Sequence, residues 1–363
     1  MATLSDLKDI KTLINTLTPR TLPKMAFLTL EDLRLTNVRE GGIREDAVLT
    51  EDMRYPAPAQ FPLGAENAHG EIEMLGEVEA THWYAEADGI TWHFVTTGDP
   101  KSEPLVIVHG FPESWYTFHN QVRDLSDQFY CVAVDVIGNG QSDKRLDLDY
   151  SYPGIAKALA KLLDTIGIEE FNLGGHDRGS VICDNLLGVD GLEQRVLRYV
   201  RMQQSANEPH GEPVPPHQMF ASPLFPKLMR WTGFPRMAYA ASAYRVDGIS
   251  PEVLARLDHE CKFKGVAEAS PQQFKTTSFE QELEDRHTFL FAKMTMPVLF
   301  LQGRHDPGQH PEEYERTPEF VSDGRVQFID GNHFFQLGAP EETSAAMRAF
   351  LSEPRARTQA EQS

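Results

Sequence analysis

Short apolar runs alternate with amphipathic helical stretches through the middle of this chain. Pro104–Val108, Tyr130–Val136, Glu170–Leu173 and Val196–Met202 read as strands. The first is apolar throughout, which is what a strand covered on both faces requires. Between these runs, Ser114–Leu125, Tyr152–Ile166 and Ser180–Leu187 carry apolar residues at helical spacing. This alternation predicts a doubly wound α/β fold around a mostly parallel sheet. A hairpin precedes it: Trp83-Tyr84, an Ala87-Asp88-Gly89 turn and an Ile90–Thr96 strand. After an interruption, Pro297–Gln302 and Val326–Ile329 resume the strand pattern, and Pro340–Ser352 reads as a closing helix.

The chain divides at these changes of pattern. Residues 1–79 form an N-terminal extension, 80–204 and 295–352 the α/β body, 205–294 an insertion and 353–363 a polar tail expected to be disordered. In the extension Leu4, Leu7, Ile10, Leu13, Ile14 and Leu17 recur at helical spacing, with Thr3 and Asp6 as a capping box. That helix is read as packing on the body or on a second copy of the chain, which would make a homodimer. Arg44–Gly70, rich in Pro, Ala and acidic residues, reads as a loop wrapping the body. The insertion opens with the proline-rich Glu208–Pro226 and continues with helical patterns near Leu224–Ala243 and Pro251–Lys264.

Chemistry concentrates where strands end. Phe171-Asn172-Leu173 runs into Gly174-Gly175-His176-Asp177-Arg178-Gly179 and then a helical segment. A strand, a sharp turn and a helix, with glycine on both sides of a central reactive residue, form a nucleophile elbow. Asp177 stands at the centre where serine is usual, and Ser180 falls outside it, which argues against a serine-type esterase. A carboxylate suits attack on a saturated carbon bearing a leaving group, giving an alkyl–enzyme ester. Downstream, in the required order, come an acid, Asp306 after Pro297–Gly303, and a loop histidine, His333 after Val326–Ile329. Asp306 can orient the His333 imidazole while it takes a proton from water; Asp330 is a weaker rival for the acid. Upstream, Pro104–Val108 leads into His109-Gly110-Phe111-Pro112-Glu113-Ser114-Trp115-Tyr116. The backbone amides of Phe111 and Arg178 are then the expected oxyanion hole. Phe111-Pro112 is a candidate cis peptide, and Ser114 a candidate helix cap.

These motifs resemble the epoxide hydrolase and dehalogenase branch of the α/β-hydrolase fold family. The loop His109–Tyr116 is very similar to its epoxide hydrolase version. Gly175–Gly179 is similar to the elbow of epoxide hydrolases and haloacetate dehalogenases, and Asp135–Asp143 resembles the loop after the next strand. The resemblance spans about Trp83 to Leu351. It implies an α/β-hydrolase fold with the insertion as a helical lid over the carboxyl ends of the strands, burying an apolar cavity. Phe220, Leu224, Phe225, Leu228, Trp231, Phe234, Met237 and Tyr239 are candidate wall or lid core. His109, Trp115, His176, Phe274 and Phe334 are further substrate-pocket candidates.

Departures from the family bear on the reaction. Epoxide hydrolases of this family use two lid tyrosines as acids, and Phe274 stands where the second is expected. Tyr239 and Tyr244 are the remaining lid proton-donor candidates, with plain packing as the alternative reading. Haloalkane dehalogenases place tryptophan after the nucleophile; here it is Arg178. Haloacetate dehalogenases place arginine there with a second three residues on; here that residue is Val181. Arg178 is left as either an anion anchor or a structural ion pair. The first expectation is epoxide hydrolysis to a diol, the second haloacid dehalogenation, and the third a non-catalytic small-molecule binding protein on the same fold.

Composition narrows the partners. A chain of 363 residues, 40% hydrophobic and 24% charged, is ordinary for a globular protein. Its net charge of −20 argues against nucleic acid or an anionic membrane. The expected partner is a small, largely apolar organic substrate plus water. Cys131, Cys183 and Cys261 show no paired framework, and His210, His217, His259 and Cys261 no ligand spacing. No cofactor or metal is expected, and a reducing, cytoplasmic location is.

Overall fold

A computed structural model describes residues 48–50, 54–204, 215–231, 239, 249–306, 309 and 311–354. Among them nine strands form one sheet: β1 (Ile72–Leu75), β2 (Val78–Ala87), β3 (Ile90–Thr97), β4 (Glu103–Val108), β5 (Phe129–Val134), β6 (Phe171–His176), β7 (Val196–Met202), β8 (Val298–Gly303) and β9 (Gly324–Ile329). Their spatial order is β1-β2-β3-β5-β4-β6-β7-β8-β9. The β1–β2, β2–β3 and β3–β5 pairs are antiparallel, and every later pair is parallel. The chain steps from β4 to β5 on one side and then to β6 on the other. The loops after β4 and β6 therefore diverge, opening a crevice at the carboxyl ends of these strands.

The period of β4 shows how the layers form. Leu105 and Ile107 belong to one buried cluster, with Phe118, Val122, Val200, Met347 and Phe350. Val106 and Val108 belong to the other, with Leu159, Leu163, Val181 and Leu186. Side chains alternate across a strand, so an all-apolar strand is covered on both faces. Helices α1 (His119–Asp124), α2 (Tyr152–Thr165), α3 (Arg178–Leu187) and, later in the chain, the closing helix Pro340–Leu351 supply the cover. In α2, Ser151 accepts from Gly154 N, and Ile155, Ala156, Leu159, Leu162 and Leu163 form its buried stripe.

Three boundaries differ from the sequence reading. The sheet begins at Ile72, not near residue 80. The missed β1 is a four-residue edge strand with Met74 54% exposed, too short to show alternation. Ser114–Leu125 is not one helix: a 3₁₀ turn (Trp115–Phe118) precedes α1, and Asp135 Oδ1 takes the Trp115 N–H at 2.8 Å. The tail starts ordered, since Glu353 is held by Arg198 and Arg325. The helix expected over residues 3–17 and the segment 355–363 lie outside the described residues, as do Phe234, Met237 and Tyr244.

The insertion contributes α4 (Pro215–Phe220), α5 (Phe225–Trp231), α6 (Pro251–Glu260) and α7 (Phe279–Asp285). The closing helix is thus α8. Phe111 packs with Met219, Phe225, Met229, Phe263, Val266 and Phe274, which joins the insertion to the loop after β4. No helix among the described residues is long and apolar enough to cross a membrane.

Candidate active site

Asp177 sits between β6 and α3 with φ 49 and ψ −121, a left-handed conformation that side chains rarely adopt. Close approach on either side explains the flanking glycines. A Cβ on Gly179 would lie 2.3 Å from Val108 O, and one on Gly175 2.8 Å from Cys183 Sγ. The helix can cross the strand ends so tightly only without those atoms. The turn leaves the Asp177 side chain at the mouth of the crevice, 14% exposed.

The two carboxylate oxygens have different neighbours. Oδ2 accepts the Phe111 N–H at 3.0 Å. Oδ1 lies 3.8 Å from His333 Nε2. Arg178 opens α3, so its N–H is one of the first-turn donors without an intrahelical acceptor. The Phe111-Pro112 bond is cis. His333 Nδ1 donates to Asp306 Oδ2 at 2.7 Å, with Asp306 only 3% exposed. Asp330 pairs instead with His305 at 2.8 Å. Burial alone would lower the His333 pKa. The charge and hydrogen bond of Asp306, then the charges of Asp177 and Glu113, outweigh it and raise the pKa from 6.5 to about 9.

Two supports were not read from the sequence. Gln203 donates from Nε2 to Asp306 Oδ2 and accepts from Gly303 N, both at 2.6 Å, so it fixes the acid to β8. Its own φ of 45 places the amide in that position. Glu113 Oε1 accepts from His176 Nδ1 at 2.7 Å, and His176 Nε2 donates to His333 O at 2.8 Å. Burial would raise the Glu113 pKa, but the His176 charge and hydrogen bond, with His109 and His333, hold it below the usual range. Gln203 carries no periodic or motif signal for such a role, and Glu113, although inside the His109–Tyr116 motif, is not marked there as the partner of His176; only their long-range partners reveal it.

The pocket candidates separate. Phe111, Phe220 and Phe274 form an aromatic group with ring centroids 4.8–5.0 Å apart, next to Asp177 through the Phe111 amide. Phe334 lies against His333 and Tyr239. Trp115, by contrast, is fully buried in the core beneath the sheet, edge-on to His82. It was expected in the pocket, but its 3₁₀ turn points it inward. His109 donates from Nδ1 to Gly110 O and accepts Val136 N–H at Nε2, and His176 is the strut described above. Both are loop supports rather than wall.

Tyr239 donates its hydroxyl proton to Pro112 O at 2.7 Å and is fully buried, so it braces the loop after β4. Arg178 is an ion pair: Glu282 of α7 accepts from Nη1 at 2.9 Å and from Nη2 at 3.3 Å. A separate cavity of about 400 Å³, lined by Arg54, Trp83, Thr97 and Ser126, lies beside the antiparallel strands β1–β3 and holds none of these residues. Among the described residues no group of three or more His, Cys, Asp or Glu is placed to hold a metal ion.

Similarity to known proteins agrees with this architecture. The family model described as alpha/beta hydrolase fold matches residues 103–340. Epoxide hydrolase 2 of Caenorhabditis elegans is 23% identical over 304 residues, covering 75% of this chain and 80% of that protein. A fluoroacetate dehalogenase from Burkholderia sp is 24% identical over 285 residues, covering 69% and 88%. The solved structure of epoxide hydrolase VrEH1 from Vigna radiata superposes with a TM-score of 0.64 at 19% identity, covering 77% of this chain and 99% of that one. The order of strands, the elbow after β6 and the family match over most of its length lead to one conclusion: this chain is a hydrolase belonging to the α/β-hydrolase fold family.

Proposed function

We propose that this hydrolase opens epoxides to diols through an alkyl ester on Asp177. The observation that carries the reading is the unequal treatment of the two Asp177 oxygens. Oδ2 already occupies the Phe111 N–H, while Oδ1 faces the His333 side of the crevice. In the first step Oδ1 attacks a ring carbon in line; the C–O bond of the epoxide breaks, and its oxygen leaves as an alkoxide that takes a proton from water. Tyr239 does not supply that proton, because its O–H is given to Pro112 O. In the second step His333 removes a proton from water, and the hydroxide adds to the Asp177 carbonyl carbon. The Phe111 and Arg178 amides hold the resulting oxyanion. Collapse breaks the ester C–O bond; the leaving alkoxide takes the proton held by His333 to give the diol, and the Asp177 carboxyl gives up its proton to water and is again a carboxylate.

The electrostatics give this sequence an order. The Asp177 charge is one of the causes that raise the His333 pKa. Alkylation removes that charge, so the imidazole loses its proton more readily once the ester has formed. The base is released when it is needed. The Arg178–Glu282 pair favours an epoxide over a haloacid. The guanidinium that would grip a substrate carboxylate is already bridged by a carboxylate of the protein. Similarity to both an epoxide hydrolase and a fluoroacetate dehalogenase leaves haloacid dehalogenation as the second reading, favoured by the 4.0 Å approach of Arg178 Nε to Asp177 Oδ1.

The test is the intact mass of a His333→Gln variant after exposure to epoxides and, separately, to haloacids. The reading expects an adduct with the mass of a whole epoxide, mapped to Asp177 and absent from Asp177→Ala. An adduct that has lost halide would instead assign dehalogenation. No adduct from either panel would overturn the reading.

A further inference from the structure

Arg178 places a buried cation beside the nucleophile. Nη1 donates to Glu282 Oε2 at 2.9 Å and to the Tyr152 hydroxyl at 3.1 Å. Nη2 donates to Gln204 Oε1 at 2.7 Å and to Glu282 Oε1 at 3.3 Å. Nε is 4.0 Å from Asp177 Oδ1. Glu282 is 2% exposed and comes from the insertion, 104 residues away in the chain. It also accepts from Arg286 Nη2 at 2.7 Å. Arg286 Nε lies 3.6 Å from Asp184 Oδ2, and Asp184 pairs with Arg201 at 2.9 Å. The charges therefore alternate along one buried line: Asp177, Arg178, Glu282, Arg286, Asp184, Arg201.

We propose that Glu282 is a specificity-determining residue that closes the site to anionic substrates. A carboxylate and a guanidinium meet best as two parallel hydrogen bonds, and Glu282 already makes that fork-to-fork contact. A substrate carboxylate would have to displace a tethered carboxylate that a second arginine also holds. It would lose its hydration and gain no charge pairing that the protein lacks. Neutral substrates meet no such competition. Without Glu282, the same guanidinium becomes a buried cation in need of an anion, 4.0 Å from the reacting carboxylate. This inference rests on Asp177 being the nucleophile towards epoxides, and it names the class: uncharged epoxides.

The test compares oxiranecarboxamide with oxiranecarboxylate, which share the ring and nearly the same size. The wild-type protein is expected to favour the amide. Glu282→Gln is expected to move the kcat/KM ratio towards the carboxylate by about tenfold or more, the scale of one charge-assisted bidentate contact. Arg178→Met, with Glu282 intact, is expected not to move the ratio towards the amide. A folded Glu282→Gln protein with an unmoved ratio overturns the proposal. So does selective loss of carboxylate turnover in Arg178→Met, which would mean that Arg178 already binds anions in the wild type. That arm decides the matter if Glu282→Gln does not fold. Melting in acetate separates this idea from the epoxide reading, because it needs no turnover. Acetate is expected to raise the melting temperature of Glu282→Gln and leave that of the wild type unchanged. Acetate stabilisation of the wild type that disappears in Arg178→Met overturns the proposal whether or not any epoxide is hydrolysed.

Discussion

Replacing Asp306 by asparagine keeps the size of the side chain and removes its charge. The lost interaction is a 2.7 Å contact to His333 Nδ1, made by a carboxylate that is 3% exposed. At a charge separation of about 4 Å and an effective dielectric constant of about 20, one such pair is worth about 4 kcal/mol. Burial, the largest influence on His333, then acts with less opposition, and the pKa falls from about 9 towards or below 6.5. Two outcomes are expected. The first step, which uses Asp177, continues, while the second slows by on the order of 10³-fold because the imidazolium that forms on proton abstraction has lost its partner. Rapid mixing with an epoxide should show a burst, and intact mass should show the ester accumulating. Stability changes with a defined sign. A folded-state pKa raised from 6.5 to about 9 contributes fully below pH 6.5 and is lost as pH rises through 9. The full shift corresponds to about 3 kcal/mol. Urea unfolding should therefore show a larger deficit for Asp306→Asn at pH 6 than at pH 10. Unchanged turnover with no ester, or equal deficits at both pH values, would refute the assignment.

Two other substitutions probe neighbouring parts of the site. Tyr239→Phe removes one buried hydrogen bond to Pro112 O; it should cost about 1 kcal/mol in urea unfolding and lower kcat less than about tenfold. A fall of about a hundredfold or more would instead make the phenol an acid of the reaction. Gly179→Ala would drive a methyl group to within 2.3 Å of Val108 O, a backbone atom that cannot rotate away. It should destabilise by about 3 kcal/mol or more, and a circular-dichroism melt matching that of the wild type would contradict this account of the elbow.

Much of this architecture is legible in the sequence because it is local. Apolar strands, the glycine-flanked Asp177 and the order Asp177, Asp306, His333 each occupy a few consecutive residues, and chain order alone ranks them. The supports are not local. Gln203 meets Asp306 across 103 residues, and Glu113 meets His176 across 63. Nothing in the period of β7 marks Gln203 for that role. Trp115 shows the opposite error. Its place in a site loop suggested the pocket, but the 3₁₀ turn after Ser114 rotates it into the core. The sequence leaves Arg178 between two roles because it does not say which acid α7 brings to it.

The alternating charges that run from the elbow into the insertion also limit how this protein can be rebuilt. Exchanging this insertion between relatives is an obvious way to change what such an enzyme accepts. A grafted segment lacking an acid at the position of Glu282 would strand the guanidinium of Arg178 away from water. The loss would be several kcal/mol, on the order of what breaking one buried ion pair costs. A working chimera would need matching replacements at Arg178 and Asp184, the body residues that face Glu282 and Arg286, from the outset. Recombination at this boundary therefore succeeds by sets of residues, and screens that vary the insertion alone will record misfolding where the chemistry itself was sound.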